Sequence, residues 1–577
     1  MSRSAWVCLV ACVSTLSGGF VVERSIGRHV RMRDGVRLAT NVFCPPGGGR
    51  YPAILIRTPY DKGPDLPKGL GEFIQRGYAV VVQDVRGRYD SEGVFDPLDQ
   101  EAPDGDDTLN WIARQPWSDG NVGMMGGSYV GIVQWKAAVT GNPHLKAIFT
   151  EVSGDDEYFD RFYSPGGAMK LGHRLLWFSW NLLSPGFRPP PFSAFTSSLP
   201  LRTSDLVATG RTIASWQEAL NHPTYDDFWK RISVREHMDR VHAPVFAAGG
   251  WYDNYVDSDL DAFTALDNVP GHPEHHIVIG PWAHNMAAKF GAVDFGPEST
   301  AASLHAYEPA WFDRWLKGDM TAAPPAPVRI FVMGVNRWRD ENEWPLARAK
   351  YTDLYFDSRG HANSLDGDGS LVWKLATDDR PDAFTYDPAK PVPTAGGAVC
   401  CSPSVFRWGP VDQRPVEKRR DVLVYTTAPL QHELEVTGPV KVILYASTSA
   451  LDTDFTAKLV DVFPDGEARN LCDGILRMRY RNGLDQVARS SPGETYALTI
   501  PAGVTSNVFL AGHRIRVEIS SSNFPRFDRN PNTGQPIADE TAMKIAHQTI
   551  RHGHEYQSRI VLPVILNERA AVRRQPR

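Results

Sequence analysis

Apolar residues along this chain keep two rhythms. Up to about residue 345, short all-apolar runs alternate with stretches whose apolar positions recur every three or four residues. Beyond it the runs stay short, become two-periodic and are separated by Pro, Gly and Asp. In the first part, 51–56, 78–83, 122–127, 145–150, 244–248 and 276–279 read as strands buried on both faces. Helical periodicity lies between several of them, over 66–75, 107–114 and 132–139. Buried strands alternating with helices predict a parallel sheet covered on both sides, a doubly wound α/β domain. Ahead of it, Val30–Phe43 alternates around Asp34-Gly35, which predicts a β-hairpin.

Between Gly154 and Met238 the strand signal lapses into helical pieces broken by Pro165, Pro185 and Pro189-Pro190-Pro191. An insertion of that kind between two sheet strands forms a cap. Tyr158, Phe159, Phe162, Tyr163, Trp177, Phe178 and Trp180 supply it with a helical mini-core or a substrate wall. From about Lys350 the strand runs 421–426, 440–445, 456–462 and 514–519 follow one another, the last in strict alternation. They predict an all-β sandwich, jelly-roll-like. The expected organisation is a signal segment over 1–19, a first α/β part over 20–153, a helical cap over 154–240, a second α/β part over 241–345 and the β-sandwich over 346–577. The junction falls in 336–348, after the apolar strand 328–332.

Length, 577 residues, supports more than one core, and 42% hydrophobic with 22% charged residues is ordinary globular composition. A net charge of -6 gives no electrostatic reason to expect nucleic acid, so the expected partner is a small molecule. Arg3, the apolar run Ala5–Val13 and the small residues up to Gly19 have the layout of a secretory signal too short to span a bilayer. Secretion or periplasmic export is expected, with lipid anchoring at Cys12 ranked below cleavage near Gly19. Cys44, Cys400, Cys401 and Cys472 remain, too few over this length for a disulfide framework, and adjacent cysteines are awkward to bridge to each other. His272-Pro-Glu-His275-His276 misses the spacing of a helical metal motif and reads as loop histidines. No metal and no cofactor is expected.

The chemistry centres on Val122-Gly-Met-Met-Gly-Gly-Ser128-Tyr129-Val-Gly131, where a strand breaks at a serine and a helix follows. Serine must be held exposed at such a turn to serve as a nucleophile, and glycines let backbone pass close by. The match to G-x-S-x-G is imperfect, with Val130 in the last glycine slot. In a doubly wound sheet the partners should follow in the order acid, then histidine, past the carboxyl ends of later strands. Asp253 after 244–248 and His284 after 276–279 meet that order.

Arg57-Thr-Pro-Tyr60-Asp-Lys, Asp84-Val-Arg-Gly-Arg-Tyr-Asp-Ser-Glu-Gly93, Gly-Gly-Ser128-Tyr129-Val-Gly, Gly-Trp-Tyr-Asp253 and Gly-Pro-Trp-Ala-His284 resemble the cocaine esterase (CocE/NonD) family. That family is related to the S15 X-Pro dipeptidyl-peptidases and the α-amino acid ester hydrolases. The resemblance runs from about Val30 to the C-terminus and implies an α/β-hydrolase domain with a helical cap and a C-terminal jelly roll. It implies Ser128 as nucleophile, Asp253 as acid, His284 as base, and an oxyanion hole from the Tyr129 N–H and the Tyr60 hydroxyl. The Tyr129 N–H sits at a helix N-terminus, unpaired and favoured by the dipole.

The expected activity is hydrolysis of carboxylic esters, with aryl or apolar acyl groups, through an acyl-enzyme. Asp253-Asn-Tyr-Val-Asp257 lacks the adjacent carboxylates that help the α-amino acid ester hydrolases hold an ammonium. Asp257 is expected to face solvent, and Asp155, Asp156 and Glu157 to form a solvated acidic turn. The alternatives are an amide or peptide hydrolase or acylase of the X-Pro or β-lactam type, and a β-sandwich binding protein with a degenerate hydrolase domain.

Overall fold

The computed structural model describes residues 13–17, 20–321, 323, 325–375 and 378–566. The expected signal segment 1–19 and Cys12 therefore lie outside the described residues, except for a short strand, β1 (Val13–Ser17), antiparallel to β2 (Phe20–Arg31). β2 forms a hairpin with β3 (Arg37–Cys44) around Asp34-Gly35.

Next come β4 (Tyr51–Thr58), β5 (Ala79–Asp84), β6 (Ser118–Gly127), β7 (Leu145–Glu151), β8 (Val245–Tyr252) and β9 (His275–Ala283). These six lie in the order β5-β4-β6-β7-β8-β9, all parallel, and strand 328–332 joins β9 in parallel. Strand 337–341 pairs back on 328–332, so the stretch 336–348 opens inside the first sheet.

Side chains alternate across a strand, and here the alternation feeds two cores. Ala53, Leu55 and Val81 join one cluster, with Leu109, Ile112, Val133 and Leu260 of the helices above them. Ile54, Val80 and Val82 join a second, with Phe73, Ile74, Trp311 and Phe312 below. The helices involved are α1 (Gly71–Gln75), α2 (Glu101–Ala113) and α3 (Tyr129–Ala138), with helices 256–267 and 304–317. α1 is shorter than the expected 66–75, where Pro67 and Gly69 fall ahead of its first residue, while α2 begins six residues earlier than its apolar periodicity does.

Between β7 and β8 the chain leaves the sheet for short helices, the longest being α4 (Leu171–Asn181). Asp155, Asp156 and Glu157, expected to form a solvated turn, are instead 3%, 4% and 2% exposed. Charged and hydrogen-bonding partners draw them in. Arg235 Nη2 meets Asp155 at 2.6 Å, Ser233 donates to Asp156, and Glu157 faces Arg161 Nε at 3.0 Å and Lys136 Nζ at 3.4 Å. The cap is also tied to the β-domain. The Met169 N–H donates to Asp528 Oδ1 at 2.7 Å, the Gly172 N–H to the Pro525 carbonyl at 2.7 Å, and Arg202 pairs with Asp539. Asp528 in turn accepts from Arg477, which is held by Asp454, all three buried.

From residue 350 onward the regular structure is almost entirely strand, hydrogen-bonded along the path from strand 382–386 to strand 468–477. Cys400 and Cys401, awkward to bridge on adjacency alone, are joined by a disulfide. Among the described residues, no helix is long and apolar enough to cross a membrane.

Candidate active site

Ser128 stands between β6 and α3 with φ 58° and ψ -127°, a left-handed conformation that L side chains rarely adopt. Its neighbours make the turn possible. Gly126 has φ 125°, and a Cβ there would come within 2.5 Å of Val130 Cγ1; a Cβ on Gly131 would come within 2.5 Å of Ser153 Cβ. The Ser128 N–H donates to the Glu151 carbonyl at 2.8 Å, which pins the turn to β7.

Asp253 follows β8 and His284 follows β9, so sheet order brings both to the Ser128 end. His284 Nε2 is 3.0 Å from Ser128 Oγ, and His284 Nδ1 is 2.6 Å from Asp253 Oδ2. Asp253 Oδ1 accepts from the Tyr255 N–H at 3.0 Å. The Asp253 side chain is fully enclosed, while His284 keeps 15% of its side chain exposed. A carboxylate on Nδ1 fixes the imidazole tautomer and leaves Nε2 as the acceptor for the serine proton.

Tyr60 lies just past β4, 37% exposed. Trp177 Nε1 of α4 donates to its hydroxyl at 3.1 Å, which leaves the phenolic proton to point elsewhere. Tyr129 occupies the first position of α3, whose N–H has no intrahelical acceptor. Its side chain turns away from Ser128's task, donating to Glu101 Oε1 at 2.6 Å under the Arg161 guanidinium. Burial and the adjacent Glu101 charge push the Tyr129 phenol well up. Its ring stacks on Trp177 at 6.0 Å and 10°, and Phe95 stacks on the same indole at 6.3 Å. Trp177 thus serves both the mini-core and the site wall.

Lys170, at the N-cap of α4, is a site residue the sequence reading missed. Its Nζ donates to the Asn254 carbonyl at 3.2 Å, one residue past Asp253. Burial lowers its pKa to about 8, against the nearby charges of Asp160 and Asp257. Asp257, expected in solvent, is half-buried; burial raises its pKa, opposed by the Lys170 and Arg526 charges. Only its position one residue before an apolar helix could have flagged Lys170. Behind the triad, burial followed by the Asp253 charge pushes the Asp259 carboxyl well up, and Asp259 Oδ1 accepts from the Gly154 N–H at 2.9 Å. His272, His275 and His276 stay apart from all of this, and among the described residues no group of three His, Cys, Asp or Glu could hold a metal ion.

Residues 34–286 match the S15 X-Pro dipeptidyl-peptidase family, and residues 321–561 match the X-Pro dipeptidyl-peptidase C-terminal non-catalytic domain. The chain is 42% identical to the cocaine esterase of Rhodococcus sp. (strain MB1 Bresler), over 95% of this chain and 100% of that one. Among solved structures, an α-amino acid ester hydrolase superposes with TM-score 0.81 at 26% identity, covering 98% of this chain and 100% of the other. An aminopeptidase from a marine sediment Thaumarchaeota archaeon superposes with TM-score 0.81 at 27% identity, covering 95% and 97%.

Proposed function

The chain belongs to the cocaine esterase family of serine hydrolases, and from that membership we propose that Ser128, His284 and Asp253 cleave carboxylic esters through an acyl-enzyme. The observation that carries this reading is the pair of hydrogen bonds from Ser128 Oγ to His284 Nε2 and from His284 Nδ1 to Asp253.

In the first step Ser128 Oγ attacks the ester carbonyl carbon and its proton passes to His284 Nε2. The carbonyl oxygen becomes an oxyanion, met by the Tyr129 N–H and the Tyr60 hydroxyl. The C–O bond then breaks, and the departing alcohol takes the proton from His284. Water, deprotonated by the same nitrogen, attacks the acyl carbon, and collapse returns the proton to Ser128 Oγ and frees the acid. Asp253 orients His284 and stabilises its charged form throughout.

The acyl group is aryl or apolar. The aromatic wall of Trp177, Tyr129 and Phe95 supports this. So does the lack of a free carboxylate for an ammonium. Asp155, Asp156 and Glu157 are occupied by Arg235, Ser233, Arg161 and Lys136, and Asp257 is met by Lys170. A desolvated ammonium without a partner costs several kcal/mol, on the order of the penalty for any lone buried charge. The second reading, amide or X-Pro peptide cleavage, rests on the S15 match.

Fluorophosphonate labelling followed by an acyl panel tests both. Labelling at Ser128, absent in Ser128→Ala, and turnover of phenylacetyl or benzoyl esters above phenylglycine esters and Xaa-Pro-p-nitroanilides are the expected results. Absence of a Ser128 adduct, or Ala-Pro-p-nitroanilide as best substrate, overturns the proposal.

Residues 1–19 are further proposed to be an export signal that places the protein outside the cytoplasm or in the periplasm, on the strength of Arg3 and the apolar run behind it. Cleavage near Gly19 removes β1 alone and leaves β2 as the sheet edge, so N-terminal sequencing of exported protein beginning near Phe20 is the test. The β-domain is read as a jelly roll, supported by its antiparallel ladders and long strands 434–448 and 496–509.

A further inference from the structure

Arg174, on α4, is a cation that the fold buries without neutralising. It is 3% exposed. Its Cζ lies 5.3 Å from the ring centroids of Trp177 and Phe178 and 5.5 Å from that of Phe162. Aromatic faces attract a guanidinium, but they do not replace a carboxylate where water is excluded. Among the described residues no Asp or Glu is paired with it. Glu157, whose charge reaches Arg174, is already shared by Arg161 Nε at 3.0 Å and Lys136 Nζ at 3.4 Å. The acceptor that Arg174 does have is Nε2 of His173, 3.2 Å from its Nη2. Burial, then the Arg174 charge, hold that imidazole well below the usual histidine range, so it is neutral. Burial lowers the Arg174 pKa to about 10, which leaves the guanidinium charged at neutral pH. Nε is sealed in without a partner, whereas Nη1 has no partner and keeps accessible surface.

The surroundings of this cation are those of the reacting serine. Trp177, one turn further along α4, holds the Tyr60 hydroxyl. Tyr255, two residues past Asp253, has its ring 5.6 Å from that of His284 and 6.2 Å from that of His173. Tyr255 and Tyr60 lie within electrostatic reach of Arg174, and His284 within that of His173. The wall that has no spare carboxylate for an ammonium therefore has one spare cation. An uncompensated guanidinium beside a substrate pocket is matched when the ligand itself brings the carboxylate.

We propose that Arg174 recognises a carboxylate carried by the acyl group, so that the preferred substrates are monoesters of an aromatic dicarboxylic acid. The ester carbonyl lies at Ser128, the ring against Trp177, and the second carboxylate on Arg174. This inference rests on the esterase reading of Ser128 and names its substrate class.

The test compares kcat/KM of the full chain at pH 7 for monomethyl terephthalate and monomethyl isophthalate with that for two uncharged esters. These are methyl benzoate and methyl 4-carbamoylbenzoate, in which an amide takes the place of the carboxylate. At least one monoester is expected to exceed both neutral esters by about tenfold, the effect of one charge-assisted bond. The preference should disappear in Arg174→Met, an unbranched apolar side chain, and survive in part in Arg174→Lys. The wild-type comparison needs no variant to fold. Neither monoester preferred by the wild type, or a preference that persists in Arg174→Met, overturns the inference and leaves the esterase reading standing, because methyl benzoate turnover reports that reading separately. If Ser128 takes no fluorophosphonate and no ester is cleaved, both fall.

Discussion

Trp177 Nε1 donates to the Tyr60 hydroxyl oxygen at 3.1 Å, and the two rings meet edge to face with centroids 6.3 Å apart. The indole thereby takes up an acceptor position on the phenol and leaves its proton free, as the proposed oxyanion role requires. Tyr60→Phe is expected to lower kcat by about 10²–10³ with little change in KM. Trp177→Phe keeps an aromatic ring in place and removes only the donor, so a loss of about tenfold is expected. In the double variant the loss should equal that of Tyr60→Phe alone, because the bond acts only through the phenol. Steady-state kinetics on a phenylacetyl ester checks all three, and additive losses would separate the two residues.

Asp253→Asn leaves the shape of the site intact but reverses the hydrogen-bonding preference at His284 Nδ1. A fall in kcat of about 10⁴ is expected, the magnitude known for the same exchange in another serine hydrolase fold. Steady-state kinetics on a phenylacetyl ester measures the loss, and a kcat within about tenfold of the wild type would remove Asp253 from the mechanism.

Lys170 stands beside Asp257 and against the Asn254 carbonyl. Lys170→Met removes the cation that neutralises Asp257 and leaves a carboxylate near the site. The ratio of kcat/KM for phenylglycine esters over phenylacetyl esters is then expected to rise several-fold, measured at pH 7, where about one charge is lost. An unchanged ratio would remove Lys170 from selectivity.

Glu308 shows how burial makes stability depend on pH. Burial first, then the charges of Glu151 and Glu72, raise its pKa from an ordinary 4.5 to about 7. Between these values the unfolded chain has released the proton that the native state retains, so stability falls as pH rises through this window. Glu308→Gln should therefore match the wild type near pH 4 and exceed it at pH 8 by about 1–3 kcal/mol. Urea unfolding at the two pH values is the measurement.

Gly126→Ala places a Cβ where Val130 already stands, at φ 125°. Overpacking and backbone strain together are expected to cost about 1–3 kcal/mol, read as a lower urea midpoint and reduced fluorophosphonate labelling.

The parallel sheet was legible because β4 to β9 are buried on both faces and carry almost continuous apolar runs, which the two opposing cores demand. Ser128, Asp253 and His284 were legible as a group because each follows such a strand. Elsewhere the deciding partners lay far off in sequence. The acidic run 155–157 looks solvated until Arg235, Ser233 and Lys136 are brought against it by folding. α2 opens with Glu101 and Asp104, both 1% exposed, and nothing local shows that Arg57 and Arg86 neutralise them. Strand 337–341, Arg-Trp-Arg-Asp-Glu, has too few apolar positions to signal a strand and takes its place from pairing with 328–332.

The Met169–Asp528–Arg477–Asp454 chain of bonds anchors the cap in the β-domain. The aromatic wall over Ser128 therefore inherits its rigidity from an anchor, Asp528, that lies 359 positions beyond Met169 along the chain. Selection for a new acyl group has a large target in such a molecule: substitutions in the β-domain can reshape the pocket wall by tilting α4, with the nucleophile and its partners untouched.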